Sequence, residues 1–147
     1  MEFRIYKGEG SVQLVAYYPY AFGVVPSKIA AGTNGPINNI GDLPANLDIY
    51  YSLDAISNGV TINNKDEKGN VLSTLQLKAI EPVEGDTYIV INTKNYLIEG
   101  LDENFERTGT LYNKYISAGD FFHPPVGRSF LQSTIAFEKA IYTPLYY

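Results

Sequence analysis

Short runs of alternating apolar and polar residues, separated by turn residues, constrain the fold of this chain more than any other feature. Residues 47–53 place Leu47, Ile49, Tyr51 and Leu53 on one face of a strand, because successive side chains of a strand point to opposite faces. Roughly eight to ten such runs follow one another along the chain, with turn signals between them. This pattern fits a β-sandwich or barrel better than an alternation of strands and helices. The sequence therefore predicts an all-β domain.

Two neighbouring runs predict a β-hairpin with a polar tip. Residues 60–63 and 71–77 contain β-branched and aliphatic side chains, which suit a pleated surface. The tip between them, residues 64–70, is polar and contains Gly69, a residue that supplies the backbone freedom of a tight turn.

Several other segments are assigned from the same signals. Residues 87–92, 96–99 and 128–137 predict strands, and residues 109–116 a short helix or strand. Residues 23–35 predict a connector rich in alanine, glycine and serine, in which residues 29–31 are a candidate for a short edge strand. The predicted core comprises Leu47, Ile49, Tyr51, Leu75, Leu77, Ile89, Ile91, Leu131 and Ile135.

The composition excludes several classes of partner and site. No apolar run approaches the ~20 residues that cross a bilayer, so we expect a soluble chain without a membrane partner. The 11 Lys and Arg residues are dispersed in a chain of net charge −5, which argues against nucleic-acid binding. The absence of cysteine excludes disulfides and thiolate chemistry. The 13 Tyr and 7 Phe residues favour β structure and contact surfaces.

The candidates for catalysis are few. His123 is the only histidine, prolines follow it directly, and the chain has no Gly-x-Ser-x-Gly motif, so a structural role in its loop is the better interpretation. Asp120 would need Asp42, Asp86 or Glu99 as the second carboxylate of a glycosidase, and sequence spacing does not test that geometry. The alternative is that Asp120 caps its own turn. We predict no catalytic residue and no enzyme.

Two acidic clusters offer oxygen ligands. They are Asp66, Glu67 and Asn70 at the hairpin tip, and Asp102, Glu103 and Glu106 further along the chain. The first cluster lacks the alternating acidic spacing and terminal glutamate of a calcium loop, so a solvated hairpin tip is the better interpretation. The second cluster is interpreted as a hydrated face, with weak calcium binding as the alternative. The sequence predicts no metal and no cofactor.

A segment near the N-terminus contains the strings Tyr6-Lys7-Gly8-Glu9-Gly10, Val12-Gln13-Leu14 and Ala16-Tyr17-Tyr18-Pro19-Tyr20-Ala21. With these strings it resembles a segment of the distal tail proteins of long-tailed bacteriophages that infect Gram-positive bacteria. In that family the segment closes a ring-forming N-terminal domain and leads into a C-terminal domain with a galectin-like β-sandwich fold.

Three later stretches extend the resemblance over nearly the whole chain. Residues 36–45 are similar to the family's Asn-x-Gly-Asp-x-Pro motif, and residues 89–98 to its Ile-Asp-Thr-x-Asn element, with Asn92 where an aspartate is more usual. Residues 119–127, Gly-Asp-Phe-Phe-His-Pro-Pro-Val-Gly, resemble the family's C-terminal region together with the strand and the aromatic end that follow.

The resemblance implies a domain organisation and a function. Residues 1–25 are expected to be a β-hairpin left from the ring-forming domain, and residues 26–147 an antiparallel galectin-like β-sandwich of jelly-roll type. The expected function is a structural component of a phage or prophage virion, at the tail tip or baseplate, which links the tail tube to the host-adhesion apparatus. The implied partners are tail-tube, tail-associated and receptor-binding proteins. A hexameric ring is expected for the full-length protein, and a monomer or weak oligomer for this chain.

Aromatic residues are the predicted contacts with a partner protein or a glycan. They are Tyr17, Tyr18, Tyr20, Phe22, Phe121 and Phe122. The alternative function is a carbohydrate-binding module that contacts host cell-wall polysaccharide, because the resembled fold is galectin-like and tyrosine rings can stack on sugars. Galectins usually present a tryptophan and a His-x-Asn-x-Arg strand, and this chain has neither. A glycan hydrolase, the third hypothesis, requires two convergent carboxylates.

Overall fold

The computed structural model of the protein describes residues 25–147, and these residues form eleven β-strands and one short α-helix. The strands are β1 (Ser27–Ile29), β2 (Gly32–Asn39), β3 (Leu43–Ser52), β4 (Val60–Lys65), β5 (Val71–Leu77), β6 (Tyr88–Asn92), β7 (Leu97–Leu101), β8 (Arg107–Leu111), β9 (Ile116–Gly119), β10 (Gly127–Phe137) and β11 (Lys139–Leu145). Helix α1 spans Leu53–Ile56, and a 3₁₀-helix spans Asn113–Tyr115 between β8 and β9.

The strands form two antiparallel sheets that pack as a sandwich. One sheet has six strands in the order β1-β11-β3-β6-β7-β8, and the other has five in the order β2-β10-β4-β5-β9. Strands β1 and β2 therefore lie at one edge of the sandwich, and β8 and β9 lie at the opposite edge. The prediction of an all-β, galectin-like sandwich is confirmed.

Strand β3 shows how the sequence pattern sets the layers. Leu47, Ile49 and Tyr51 are buried, and the residues between them are partly exposed. Ile49 lies opposite Ala140 of β11 and Ile91 of β6, so three neighbouring strands present apolar side chains to the same core. Burial of each large aliphatic side chain contributes about 1.5–3 kcal/mol, and this alternation fixes the register of the sheet.

The predicted core is largely confirmed. Eight of the nine predicted residues are buried: Leu47, Ile49, Tyr51, Leu75, Leu77, Ile89, Ile91 and Leu131. Ile135 is only partly buried and packs against the core. Its strand, β10, has a register irregularity between Gln132 and Phe137, and such an irregularity re-aims the side chains that follow it.

The prediction of a connector over residues 23–35 is wrong for its described part, residues 25–35, which contains β1 and the first half of β2. Pro36 lies within β2 and faces Phe130 of β10. Proline is tolerated there because β2 is an edge strand, whose outer side requires no ladder donor. Ile29 in β1 is buried, and it anchors this edge to the core. The candidate edge strand at residues 29–31 overlaps β1 at Ile29, whereas the small and polar residues that begin β2 gave no strand signal.

Other predicted elements are present. The hairpin of β4 and β5 is confirmed, and residues 109–116 contain the end of β8 and the 3₁₀-helix, so both alternatives occur. No helix among residues 25–147 is long and apolar enough to cross a membrane. The N-terminal hairpin and the contact residues Tyr17, Tyr18, Tyr20 and Phe22 lie outside the described residues. The domain boundary after residue 25 stays a prediction.

Candidate interaction surface

The outer face of the six-stranded sheet carries an aromatic cluster. We define the outer aromatic cluster as Tyr50, Tyr88, Phe105 and Lys139. Register brings three of its members together, because Tyr50 of β3 lies opposite Lys139 of β11 and Tyr88 of β6 lies opposite Ser52 of β3. Tyr50 occupies the partly exposed phase of β3, so its ring points away from the core. The sheet thus gathers residues that are far apart in sequence.

Phe105 reaches this face from the turn between β7 and β8. Its ring stacks on Tyr88 with centroids 4.1 Å apart and an interplanar angle of 16°, and it meets Tyr50 edge-on at 6.0 Å. Such aromatic pairs contribute about 0.5–1.5 kcal/mol beyond the area that they bury. Phe105 remains 38% exposed. The cluster therefore presents a packed aromatic surface to solvent.

Lys139 adds a positive charge to the same surface. Its Nζ lies 4.7 Å from the centroid of the Tyr50 ring and 4.9 Å from that of Phe105. A cation over an exposed ring contributes about 0.5–1 kcal/mol. The ammonium group is thus held at the cluster, where it can bond an incoming polar group.

Charged side chains of β3, β7 and β8 complete the surface. The Arg107 Nε atom lies 2.8 Å from Glu99 Oε1, and this hydrogen bond raises the pKa of Arg107. Burial raises the pKa of the Asp48 carboxyl, and the charge of Arg107 opposes that shift. Aromatic rings beside an arginine are the residue types enriched at the centres of protein interfaces. The arrangement is suited to binding.

The carboxylates considered for acid–base chemistry are each engaged in separate structural contacts. Asp86 accepts hydrogen bonds from the hydroxyls of Tyr112, at 2.6 Å, and Thr108. Glu99 is paired with an arginine. Asp120 accepts a bond of 2.7 Å from the backbone N–H of the next residue, which agrees with the turn-capping interpretation. The Asp42 Oδ2 atom accepts a hydrogen bond of 3.4 Å from the backbone N–H of Tyr147.

The acidic clusters also act within their own turns. Asp66 accepts backbone N–H bonds from Lys68 and Asn70 at 2.9 and 2.8 Å, and Asp102 accepts them from Asn104 and Glu106 at 2.8 and 3.0 Å. Within residues 25–147, no group of three or more His, Asp or Glu side chains is placed to hold a metal ion. The oxygen atoms of these aspartates thus serve as backbone caps.

The loop after β9 holds the remaining predicted contact residues. Phe122 is 7% exposed and belongs to the core, so little of its ring is available to a partner. Phe121 is partly buried and meets Tyr96 edge-on at 5.7 Å. Tyr96 also meets His123 at 5.7 Å. The contact role of Phe121 and Phe122 stays a prediction.

The members of the outer aromatic cluster were not among the predicted contact residues. One signal was available for Tyr50, because it lies on the opposite phase from the four apolar residues of the 47–53 run. Tyr88 and Lys139 join it only through strand pairing. Phe105 gives no local signal, since it is a single aromatic residue among polar and charged neighbours.

Comparison with known proteins finds a solved structure with a similar fold. A structure search matches the crystal structure of the SPP1 Dit (gp 19.1) protein, described as a paradigm of the hub adsorption apparatus in phages that infect Gram-positive bacteria. The TM-score is 0.59 at 13% sequence identity, and the match covers 82% of this chain and 46% of the Dit chain. The match therefore spans less than half of the Dit protein. No protein-family model and no curated protein matches the sequence. The resemblance predicted from the sequence thus holds at the level of the fold.

Proposed function

We propose that this chain is the galectin-like C-terminal part of a distal tail protein, a structural component of a phage or prophage tail. The observation that carries the proposal is the fold match to SPP1 Dit, which covers 82% of the chain at a TM-score of 0.59. The sequence resemblance to the same family supports it independently, because it rests on motifs and not on the fold. In this function the domain joins the tail tube to the host-adhesion apparatus at the tail tip or baseplate.

The domain organisation follows from the same proposal. Residues 1–25 are the end of a ring-forming N-terminal domain, and residues 26–147 are the peripheral sandwich. The complete protein forms a hexameric ring through the N-terminal domain, and this chain alone is a monomer or weak oligomer. Its partners are tail-tube, tail-associated and receptor-binding proteins. The role is one of geometry and adhesion, without catalytic turnover.

The outer aromatic cluster is the contact surface that this function requires. Tyr50, Tyr88 and Phe105 supply packed rings, and Lys139 supplies a fixed charge. Interfaces concentrate their binding energy in a few aromatic and charged residues of this kind. A neighbouring tail protein that covers Phe105 would remove its remaining exposed surface from water.

Immunogold electron microscopy tests the proposed location. Particles are produced from a strain that encodes the chain and are labelled with an antibody raised against the purified protein. We expect gold at the distal end of the tail. Label on the capsid, or intact particles without label, would contradict the proposal.

A carbohydrate-binding module is the second candidate, and the outer aromatic cluster also favours it. Exposed rings next to Glu99, Arg107 and Lys139 offer stacking and hydrogen bonding to sugar hydroxyls. The opposing observation is that Tyr88 covers one face of Phe105, which leaves less free ring surface for a sugar.

Retention on Gram-positive cells and on purified wall polysaccharide separates the two candidates. The test variant is Tyr50→Ala, and the matched control is Phe130→Ala, a partly exposed aromatic residue in β10 of the other sheet. Retention that soluble polysaccharide competes, and that only Tyr50→Ala abolishes, would favour the glycan. No retention of the unsubstituted chain would favour protein partners.

A further inference from the structure

A cleft of about 480 Å³ lies at the β8/β9 edge of the sandwich. Residues 81–83, in the loop that follows β5, form one wall, and residues 110–112, 114 and 115 form the other. Small-molecule sites in proteins commonly have volumes of about 300–1,000 Å³. No member of the outer aromatic cluster lines the cleft, so the cleft is a separate candidate for binding.

Hydrogen bonds join the two walls and hold the cleft in shape. The Tyr112 hydroxyl accepts the backbone N–H of Val83 at 3.1 Å, and the Tyr115 hydroxyl donates to the backbone oxygen of Glu81 at 3.4 Å. The backbone oxygen of Tyr115 also accepts the N–H of Lys78 at 2.9 Å. The cleft is therefore preformed, and binding requires little ordering of its walls.

The polar side chains of the cleft offer both donors and acceptors. The Lys114 ammonium only donates, the Glu81 carboxylate only accepts, and the Thr110 hydroxyl does both. Both charged residues are exposed, and neither takes part in an ion pair within residues 25–147. Their charges sum to zero within the described lining, where the carboxylate would repel an anion and the ammonium would repel a cation. The lining therefore favours an uncharged ligand that is rich in hydroxyl groups.

Apolar surface lies beside these polar groups. Val83 and Leu111 are 46% and 53% exposed, and Pro82 precedes Val83 in the same wall. In the other wall the Lys114 Nζ atom lies 5.4 Å from the centroid of the Tyr115 ring. A sugar ring carries hydroxyl groups at its edge and C–H groups on its faces. The mixed lining of the cleft matches this combination.

We propose that this cleft binds a short uncharged oligosaccharide. The sugar hydroxyls accept hydrogen bonds from Lys114 and donate them to Glu81, and the C–H faces contact Val83 and Leu111. Such binding goes beyond the structural function proposed above. It also uses a surface other than the outer aromatic cluster, which is the glycan site of the second candidate function.

The free edge of β8 argues against a peptide as the ligand. An extended peptide commonly binds beside an edge strand by adding a strand to its sheet, and β8 is the edge strand next to the cleft. Gly109 lies within β8 with φ 91°, and the pairing of β8 with β7 shifts register between Glu99 and Leu101. Such an irregularity interrupts the row of backbone groups that an added strand requires. A saccharide does not require this row.

NMR titration of the complete, isotope-labelled chain tests the proposal. The probes are oligosaccharides released from the cell-wall polysaccharide of a strain that encodes the chain, separated by anion exchange into an uncharged and an anionic fraction. Amide chemical shifts map the contact of each fraction. The test variants are Lys114→Ala and Glu81→Ala. The matched controls are Lys68→Ala and Glu103→Ala, which replace exposed residues in two turns outside the cleft. The spectrum of each variant shows that it is folded.

We expect the uncharged fraction to shift the amide signals of residues 81–83 and 110–115. Each test variant should bind at least about tenfold more weakly, because it loses a hydrogen bond to a charged group, and each control should stay within about twofold of the unsubstituted chain.

No shift with the uncharged fraction, shifts with the anionic fraction alone, or equal affinities of the test and control variants would overturn the proposal. Shifts at Tyr50 and Tyr88 in place of the cleft would also overturn it, because they would assign the sugar to the outer aromatic cluster. Immunogold labelling tests the location in the tail by a separate readout. A failure of the proposed function is therefore distinguishable from a failure of this inference.

Discussion

Two hairpin turns of this protein share one pattern of backbone hydrogen bonds and differ in the side chain that they present. In the turn between β4 and β5, Asp66 N–H bonds Asn70 O at 2.9 Å and Gly69 N–H bonds Asp66 O at 3.0 Å. In the turn between β7 and β8, Asp102 N–H bonds Glu106 O at 2.8 Å and Phe105 N–H bonds Asp102 O at 3.0 Å. In each turn the leading aspartate also caps two backbone N–H groups.

The turns differ at the residue with left-handed backbone. Gly69 has φ 87° and Phe105 has φ 62°. Glycine adopts this conformation without steric cost, whereas another residue pays about 1–2 kcal/mol. Phe105 tolerates the strain because its ring packs on Tyr88 and Tyr50. The comparison shows one turn that only connects strands and another that uses the same backbone to present an aromatic ring.

Removal of the Tyr88 ring should have the largest effect. Tyr88→Ala deletes the partner on which Phe105 stacks, so the backbone strain at Phe105 loses its compensation. We expect a loss of about 2–3 kcal/mol in the free energy of unfolding, measured by urea denaturation. Tyr147→Ala, at a position that is 87% exposed, is the control and should change little. A loss below about 0.5 kcal/mol for Tyr88→Ala would mean that the stack does not support the turn.

Transfer of the aromatic residue to the other turn should have the next largest effect. The Cβ that Gly69→Phe adds meets no atom within 4 Å, so it does not clash with the surrounding turn. We expect a loss of about 1–2 kcal/mol from the left-handed backbone alone. Chemical denaturation measures it. An unchanged midpoint would show that this turn accepts a side chain without strain.

The reverse substitution, Phe105→Gly, should change the free energy of unfolding little, because two opposing contributions nearly cancel. Phe105→Gly relieves about 1–2 kcal/mol of strain, and it removes the aromatic contacts, which contribute about 0.5–1.5 kcal/mol beyond buried area. We expect a net change within about 1 kcal/mol in the free energy of unfolding. A loss as large as that of Tyr88→Ala would show that ring packing outweighs the strain.

The capping aspartate should produce the smallest effect, and this effect should depend on pH. The backbone N–H of Asn70 is the main cause that lowers the pKa of Asp66 below its ordinary value of 3.8. The stabilisation is therefore present above pH 3.8 and is lost as pH falls through the lower folded-state pKa. We expect Asp66→Asn to be less stable than the unsubstituted protein at pH 7, with a gap that closes in acid. A gap that stays constant with pH would contradict this assignment.

The same comparison explains what the sequence could predict. The sequence predicts the β4–β5 turn because Gly69 and its polar neighbours give a direct turn signal. It does not predict the β7–β8 turn, because a phenylalanine with left-handed backbone contradicts local preferences. Its conformation depends on Tyr88 and Tyr50, which approach it only after three strands have paired.

The exposed surface is harder to predict from the sequence than the core, because its clusters form only when distant strands pair. Alternation within β3 identified Leu47, Ile49 and Tyr51 as buried before their partners were known. The outer aromatic cluster instead joins Tyr50 to Lys139, and only the register of β3 with β11 brings them together. Local pattern thus predicts which residues are buried, and topology decides which exposed residues become neighbours.

The most direct test of the proposed contact surface is the infectivity of particles that carry Phe105→Gly. The control is Gly69→Ala, which alters the equivalent position of the other turn at a similar cost of about 1 kcal/mol. If the outer aromatic cluster contacts a tail partner or the host, Phe105→Gly particles should show a large loss of adsorption and of plaque-forming units, and the control should not. Normal adsorption and plaque counts for Phe105→Gly would contradict the account.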